Sequence, residues 1–173
     1  MIPTGLVSAL SFALLFSACR DLPASPQEGL APGHFEVSVR GDRNFSRTGD
    51  AVVANVNHRL VAIIMGTHPL GGLDPDTTVN LDMENPPGLT VGVYPVSDFE
   101  SADGAAGGVF IMNIHTGWSF HSIGGSGTIE ITRKTNTGVE GRFSFLAAGA
   151  AIQADPVTDF DTIRVSGRFN ARY

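Results

Sequence analysis

From His34 onward the chain alternates apolar and polar positions, the period of a strand with one face buried. In His34–Arg40, Phe35, Val37 and Val39 fall on one side and Glu36, Ser38 and Arg40 on the other. Asp50–Val56 and Arg59–Met65 are two β-prone runs flanking Asn57-His58, a two-residue turn candidate, and so predict a hairpin. Thr77–Met83 sets Val79, Leu81 and Met83 against Asn80 and Asp82; Leu89–Val96, Gly108–His115 and the shorter Trp118–Ile123 follow. Val109–Met112 is continuously apolar, the pattern of a strand buried on both faces.

The C-terminal third is the most regular. Gly127–Arg133 points Ile129 and Ile131 one way, Gly138–Ala147 does the same with Val139, Phe143 and Phe145, and Thr162–Tyr173 with Ile163, Val165, Phe169, Ala171 and Tyr173. No helical periodicity competes after residue 33. About ten strands at short spacing predict an all-β domain over 34–173, an antiparallel β-sandwich or β-barrel with no helix longer than two turns. Phe35, Ile129, Ile131, Phe143, Phe145, Val165 and Phe169 are expected in its core. Val-x-Gly-Arg-Phe occurs twice, at Val139–Phe143 and Val165–Phe169. Two strands with one shared packing problem explain this more simply than a duplicated functional motif: Phe inward, Arg outward, and a Gly that lets a neighbour approach.

The N-terminus has a different pattern. An uncharged apolar run of about 14 residues, Gly5 to Ala18, fits a signal-peptide core and falls short of the roughly 20 residues that span a bilayer. It ends on Ser17-Ala18-Cys19, and Cys19 is the single cysteine. This resembles the lipobox of a bacterial lipoprotein precursor, which implies export, removal of residues 1–18 and acylation of Cys19 as the new N-terminus. Phe16 stands where such motifs usually carry Leu, and Met1–Thr4 holds no Lys or Arg. The alternative is an ordinary signal peptide cut near Cys19, leaving a freely secreted protein; Phe16, three positions before that cut, is too large for it. Residues 19–33 hold three prolines and two glycines without apolar periodicity and read as a flexible tether behind the lipid.

The strand Gly127-Thr-Ile-Glu-Ile-Thr132, then Val139-Glu-Gly-Arg-Phe-Ser-Phe145 and Val165-Ser-Gly-Arg-Phe-Asn170, is similar to the closing strands of small uncharacterised β-rich bacterial lipoproteins. Val91-Gly-Val-Tyr-Pro-Val96 is similar to their Gly-x-Tyr-x-Leu strand. The resemblance spans about half of the chain after the signal. It implies fold and location, and no catalytic residue comes with it.

Removing the signal leaves about 155 residues, a length typical of one domain and enough for an unaided core. With Cys19 acylated no thiol remains for a disulfide. The net charge of −6, with 11 Lys and Arg in all, lacks the electrostatic footprint of a nucleic-acid binder. Twenty-one glycines and ten prolines suit short strands and turns.

Five histidines raise acid–base and metal readings. His115 and His121 bracket Thr-Gly-Trp-Ser-Phe, and a hairpin near Gly117 would bring both to one end of a sheet. No His-x-x-x-His or His-Glu-x-x-His spacing is present, so no metal site and no cofactor is expected. Ser119 and Ser122 lie nearby, but no Gly-x-Ser-x-Gly elbow exists. Loop carboxylates (Asp74 and Asp76; Asp98, Glu100 and Asp103; Asp155, Asp159 and Asp161) are hard-ion donors, yet none follows the Asp-x-Asp-x-Asp-Gly pattern. Gly124-Gly125-Ser126-Gly127 precedes a strand and so forms no phosphate cradle. Trp118 and Phe120 are candidates for a ligand-binding surface together with His115 and His121, against core packing as the plainer reading.

The expected protein is a non-enzymatic lipoprotein of the bacterial envelope, lipid-anchored at the outer membrane. Its partners would be the membrane, through Cys19, and an envelope protein or small ligand, with no nucleic acid. The alternative is a small hydrolase using a loop His/Asp pair.

Overall fold

The computed structural model describes residues 29–57, 60–67, 77–84, 89–97, 109–113, 117–151 and 160–173. The signal segment, Cys19, most of the tether, His115 and every loop carboxylate named above except Asp161 lie outside these residues.

Alternation becomes ten strands. They are β1 (His34–Gly41), β2 (Phe45–Asn57), β3 (Leu60–Gly66), β4 (Thr78–Glu84), β5 (Gly92–Pro95), β6 (Val109–Asn113), β7 (Trp118–Ser122), β8 (Thr128–Lys134), β9 (Gly138–Ala151) and β10 (Asp161–Arg172). They form one sheet that curls into a half-barrel, and no helix occurs among the described residues. All the residues expected in the core are buried, with Phe35, Phe145, Ile129 and Val165 wholly withdrawn from water.

Two long strands organise the sheet. β9 pairs with β10 along its whole length, from Arg172↔Gly138 to Asp161↔Gly149. Its other edge is shared, β8 taking Val139–Ser144 and β7 taking Ala147–Ala151. Both run antiparallel to β9, so β7 and β8 are collinear, interrupted by the turn Ile123–Gly127. Leu146 of β9 anchors that turn: its carbonyl accepts from Ile123 N at 3.0 Å, and its amide donates to Ser126 Oγ at 3.1 Å. β2 divides similarly, with Phe45–Asp50 against β1 and Asp50–Asn57 against β3. β1 lies between β2 and β10, β4 joins β3 to β6, and β5 hangs on the outside of β8.

Several boundaries differ from the sequence expectation. β2 starts five residues before Asp50, because Phe45 packs against the core while Ser46 and Thr48 point out. Gly49 masks this continuation, since a side chain there would strike the Gly66 carbonyl. β2 runs through Asn57, which was expected in the turn and is instead paired to Leu60; His58 lies outside the described residues. β9 runs four residues past Ala147 through Ala148, Gly149 and Ala150, small residues that carry no polarity alternation. Gly149 is required there because the Ser119–Phe120 backbone lies against it. β5 is shorter than expected, Gly92–Pro95, although the Val96 amide beyond it still donates to the Gly127 carbonyl at 3.0 Å.

Candidate functional site

Strand parity separates the residues proposed from sequence to bind a ligand. Phe120 is buried, and Trp118 packs beside it on the inner face with ring centroids 5.9 Å apart and planes 16° apart. Ser119 and His121 alternate with them, and Ser119 Oγ lies 3.1 Å from His121 Nε2. His121 therefore projects from the opposite face to Trp118 and Phe120, and His115 lies outside the described residues.

The free face of Trp118 is already occupied. Arg43, in the β1–β2 turn, stacks its guanidinium 3.5 Å from the ring centroid, and its Nε donates to Asp161 Oδ2 at 2.8 Å. The turn is held in place by Asp42, whose Oδ2 accepts from Thr162 N at 2.7 Å, and by Asn44 Nδ2 donating to the Gly41 carbonyl at 2.9 Å. This end of the sheet is stitched together by a cation–π contact and an ion pair, so the indole works as packing more than as a platform for a sugar.

A different surface emerges when registers are combined. On the outer face of β8, β9, β10, β1 and β2, successive Cα partners form rows across five strands. One row reads Thr128, Ser144, Ser166, Ser38, Ser46, a hydroxyl on every strand. The row beside it reads Glu130, Arg142, Arg168, Glu36, Thr48. Here Arg142 Nε donates to Glu130 Oε2 at 2.6 Å and Arg168 Nε to Glu36 Oε2 at 2.8 Å. The Arg168 hydrogen bond holds the Glu36 carboxyl below the usual carboxylate range, and Glu36 in turn raises the Arg168 guanidinium. On the other side of the hydroxyls, Leu146, Arg164 and Arg40 are neighbours. Arg164 and Arg40 are exposed, sit directly opposite one another, and have no carboxylate against them among the described residues.

Between the hydroxyls and the Arg142–Arg168 row lies a depression of about 460 Å³, lined by Ser38, Ser46, Ser166, Arg142, Arg168 and Glu36 among others, with Arg40 and Arg164 in the next row outside its lining. That volume is in the range of small-ligand sites. Hydroxyls that both donate and accept, beside planar forks of donors, can hold a hydroxylated, anionic ligand. Ser119 and His121 do not line this depression.

Sequence reasoning placed these side chains outward without seeing that they align. A row is a property of register between strands more than 130 positions apart, as in Glu36 and Arg168. One signal was present: the two Val-x-Gly-Arg-Phe copies pair antiparallel, which sets Arg142 opposite Arg168. Among the described residues no group of three or more His, Cys, Asp or Glu side chains could hold a metal ion.

No protein-family model, curated protein or solved structure matches the chain.

Proposed function

We propose that the chain is a non-enzymatic lipoprotein of the bacterial envelope, anchored through an acylated Cys19, whose β-domain binds an envelope component through the outer face of β8, β9, β10, β1 and β2. The observation that carries the anchor is the apolar run Gly5–Ala18 closing on the only cysteine of the chain. The entry of the chain into the domain is compatible with it. Gly33 N donates to the Asn170 carbonyl at 2.6 Å, and Asn170 Nδ2 donates to the Leu30 carbonyl at 2.8 Å, so residues 30–33 are clasped to β10. The stretch from Cys19 to Leu30 then reaches at most about 40 Å from the membrane.

Within this reading the sheet closes. The pairings run β1–β2–β3–β4–β6–β7–β9–β10 and return from β10 to β1, which supports an eight-stranded barrel with β8 and β5 carried on β9. A closed ring leaves few exposed strand edges, a useful property for a domain displayed beside other envelope proteins.

The Ser119–His121 contact is the one observation favouring a hydrolase. A hydroxyl within reach of an imidazole is half of a nucleophile–base arrangement. The two residues are also next neighbours on one face of a strand, where such a contact needs no function, and they do not line the depression above.

Metabolic labelling with a fatty acid, with membrane fractionation of wild type and Cys19→Ser, tests the anchor. Wild type should take the label and sediment with membranes. Cys19→Ser should carry no label and either leave the membrane fraction or accumulate as precursor. Two chains of a diacylglyceryl group contribute about 0.8 kcal/mol per buried CH₂, enough to hold a soluble domain. Identical fractionation with no label in either protein would refute the anchor.

A further inference from the structure

The geometry points to the hydroxyl row and its flanking arginines as a binding trough for a carboxylate-bearing polysaccharide. This names the ligand class for the binding reading above and is independent of the anchor.

Charge is the first argument. The whole chain is acidic at −6, yet these three rows gather four guanidiniums, Arg40, Arg142, Arg164 and Arg168, against two carboxylates, Glu36 and Glu130. All four are arginines, whose planar fork of donors matches a carboxylate with two parallel hydrogen bonds.

Placement is the second. Arg142 lies directly opposite Arg168, and Arg164 directly opposite Arg40. Like charges facing each other across adjacent strands oppose folding. Glutamates flank the first pair, whereas the second has no carboxylate among the described residues. An anion seated between Arg40 and Arg164 converts that repulsion into two charge-assisted contacts.

Shape is the third. Rows two residues apart along a strand are separated by about 7 Å, so the two arginine rows stand about 13 Å apart with hydroxyls between them. The hydroxyl row extends about 19 Å across five strands, and the depression beside it runs over β9, β10, β1 and β2. It is long, shallow and paved with groups that donate and accept, which suits an extended chain of hydroxylated rings better than a compact phosphate. These rows contain no aromatic side chain on which a nucleobase could stack.

Binding of the purified full chain to polygalacturonate, followed by calorimetry, tests the assignment. Neutral dextran and phosphatidylglycerol vesicles are the comparison ligands. Wild type should bind polygalacturonate with an affinity that falls as salt rises, and should bind dextran at least tenfold more weakly. The Arg40→Gln/Arg164→Gln variant, whose arginines hold no ion pair among the described residues, should lose at least tenfold and keep its wild-type melting temperature. Ser166→Asp, which places a like charge on the trough floor, should lose as much. Cys19→Ser should bind polygalacturonate as wild type does, so that failure of the anchor and failure of the trough read out separately. Absence of polygalacturonate binding, equal binding by the double arginine variant, or tighter binding to the vesicles than to the glycan would each overturn the proposal.

Discussion

Phe143 and Phe169 show what single residues contribute. In the β9–β10 register Phe143 lies opposite Gly167, and Phe169 opposite Gly141. Each ring covers the glycine of the other strand, and the rings lie 6.4 Å apart between centroids. A β-carbon on Gly141 would strike the Glu130 carbonyl oxygen and approach Phe169 Cζ to 2.5 Å, and one on Gly167 would strike the Glu36 carbonyl oxygen and approach Phe143 Cζ to 2.7 Å. Gly141→Ala and Gly167→Ala should therefore each destabilise by about 1–3 kcal/mol in denaturant titration, the usual cost of overpacking. Wild-type stability in either variant would show that both the ring and the neighbouring strand have room to move. Asp82 works in the opposite direction. It sits half-buried on β4, and burial pushes its carboxyl above the usual carboxylate range. Because the folded-state value is the higher one, ionised Asp82 opposes folding at neutral pH, and the penalty disappears below the unfolded value. Asp82→Asn should raise the melting temperature at pH 7 and lose that advantage as the pH falls below about 4. Equal melting at pH 7 would contradict the burial argument.

At the scale of elements, polarity alternation, with β-prone runs for β2 and β3 and a continuous apolar run for β6, was sufficient to locate the ten strands, because a strand with one buried face writes its own period. What it could not supply was partnership. The Val-x-Gly-Arg-Phe repeat was legible as Phe inward and Arg outward, and the structure adds that each Gly accommodates the Phe of the other copy. Small residues carried information that hydrophobicity does not register. Gly49 hid the first half of β2, and Gly149 among the alanines hid the end of β9, because each glycine lets another backbone approach. The candidate pair His121 and Trp118 was read as one site from closeness in sequence, although positions three apart on a strand fall on opposite faces. The polar side of β4 taught a related lesson. Asn80 and Asp82 point away from the core as expected, yet Asn80 Oδ1 and Thr78 Oγ1 are buried without a hydrogen-bond partner among the described residues. An outward direction does not guarantee water.

For the whole molecule, the central claim joins two parts that have different supports. The β-domain follows from periodicity and is visible strand by strand, while the proposed membrane attachment rests on residues 5–19 and on the chemistry of one thiol. The clasp of residues 30–33 on β10 fixes where the tether leaves the domain, close to Arg172 at the end of the sheet. The intact mass of the protein recovered from membranes tests the attachment most directly. The account predicts a chain beginning at Cys19 and heavier than residues 19–173 by a diacylglyceryl group, with or without a further amide-linked acyl chain. A chain that retains residues 1–18, or one cut elsewhere and carrying no lipid, would contradict it.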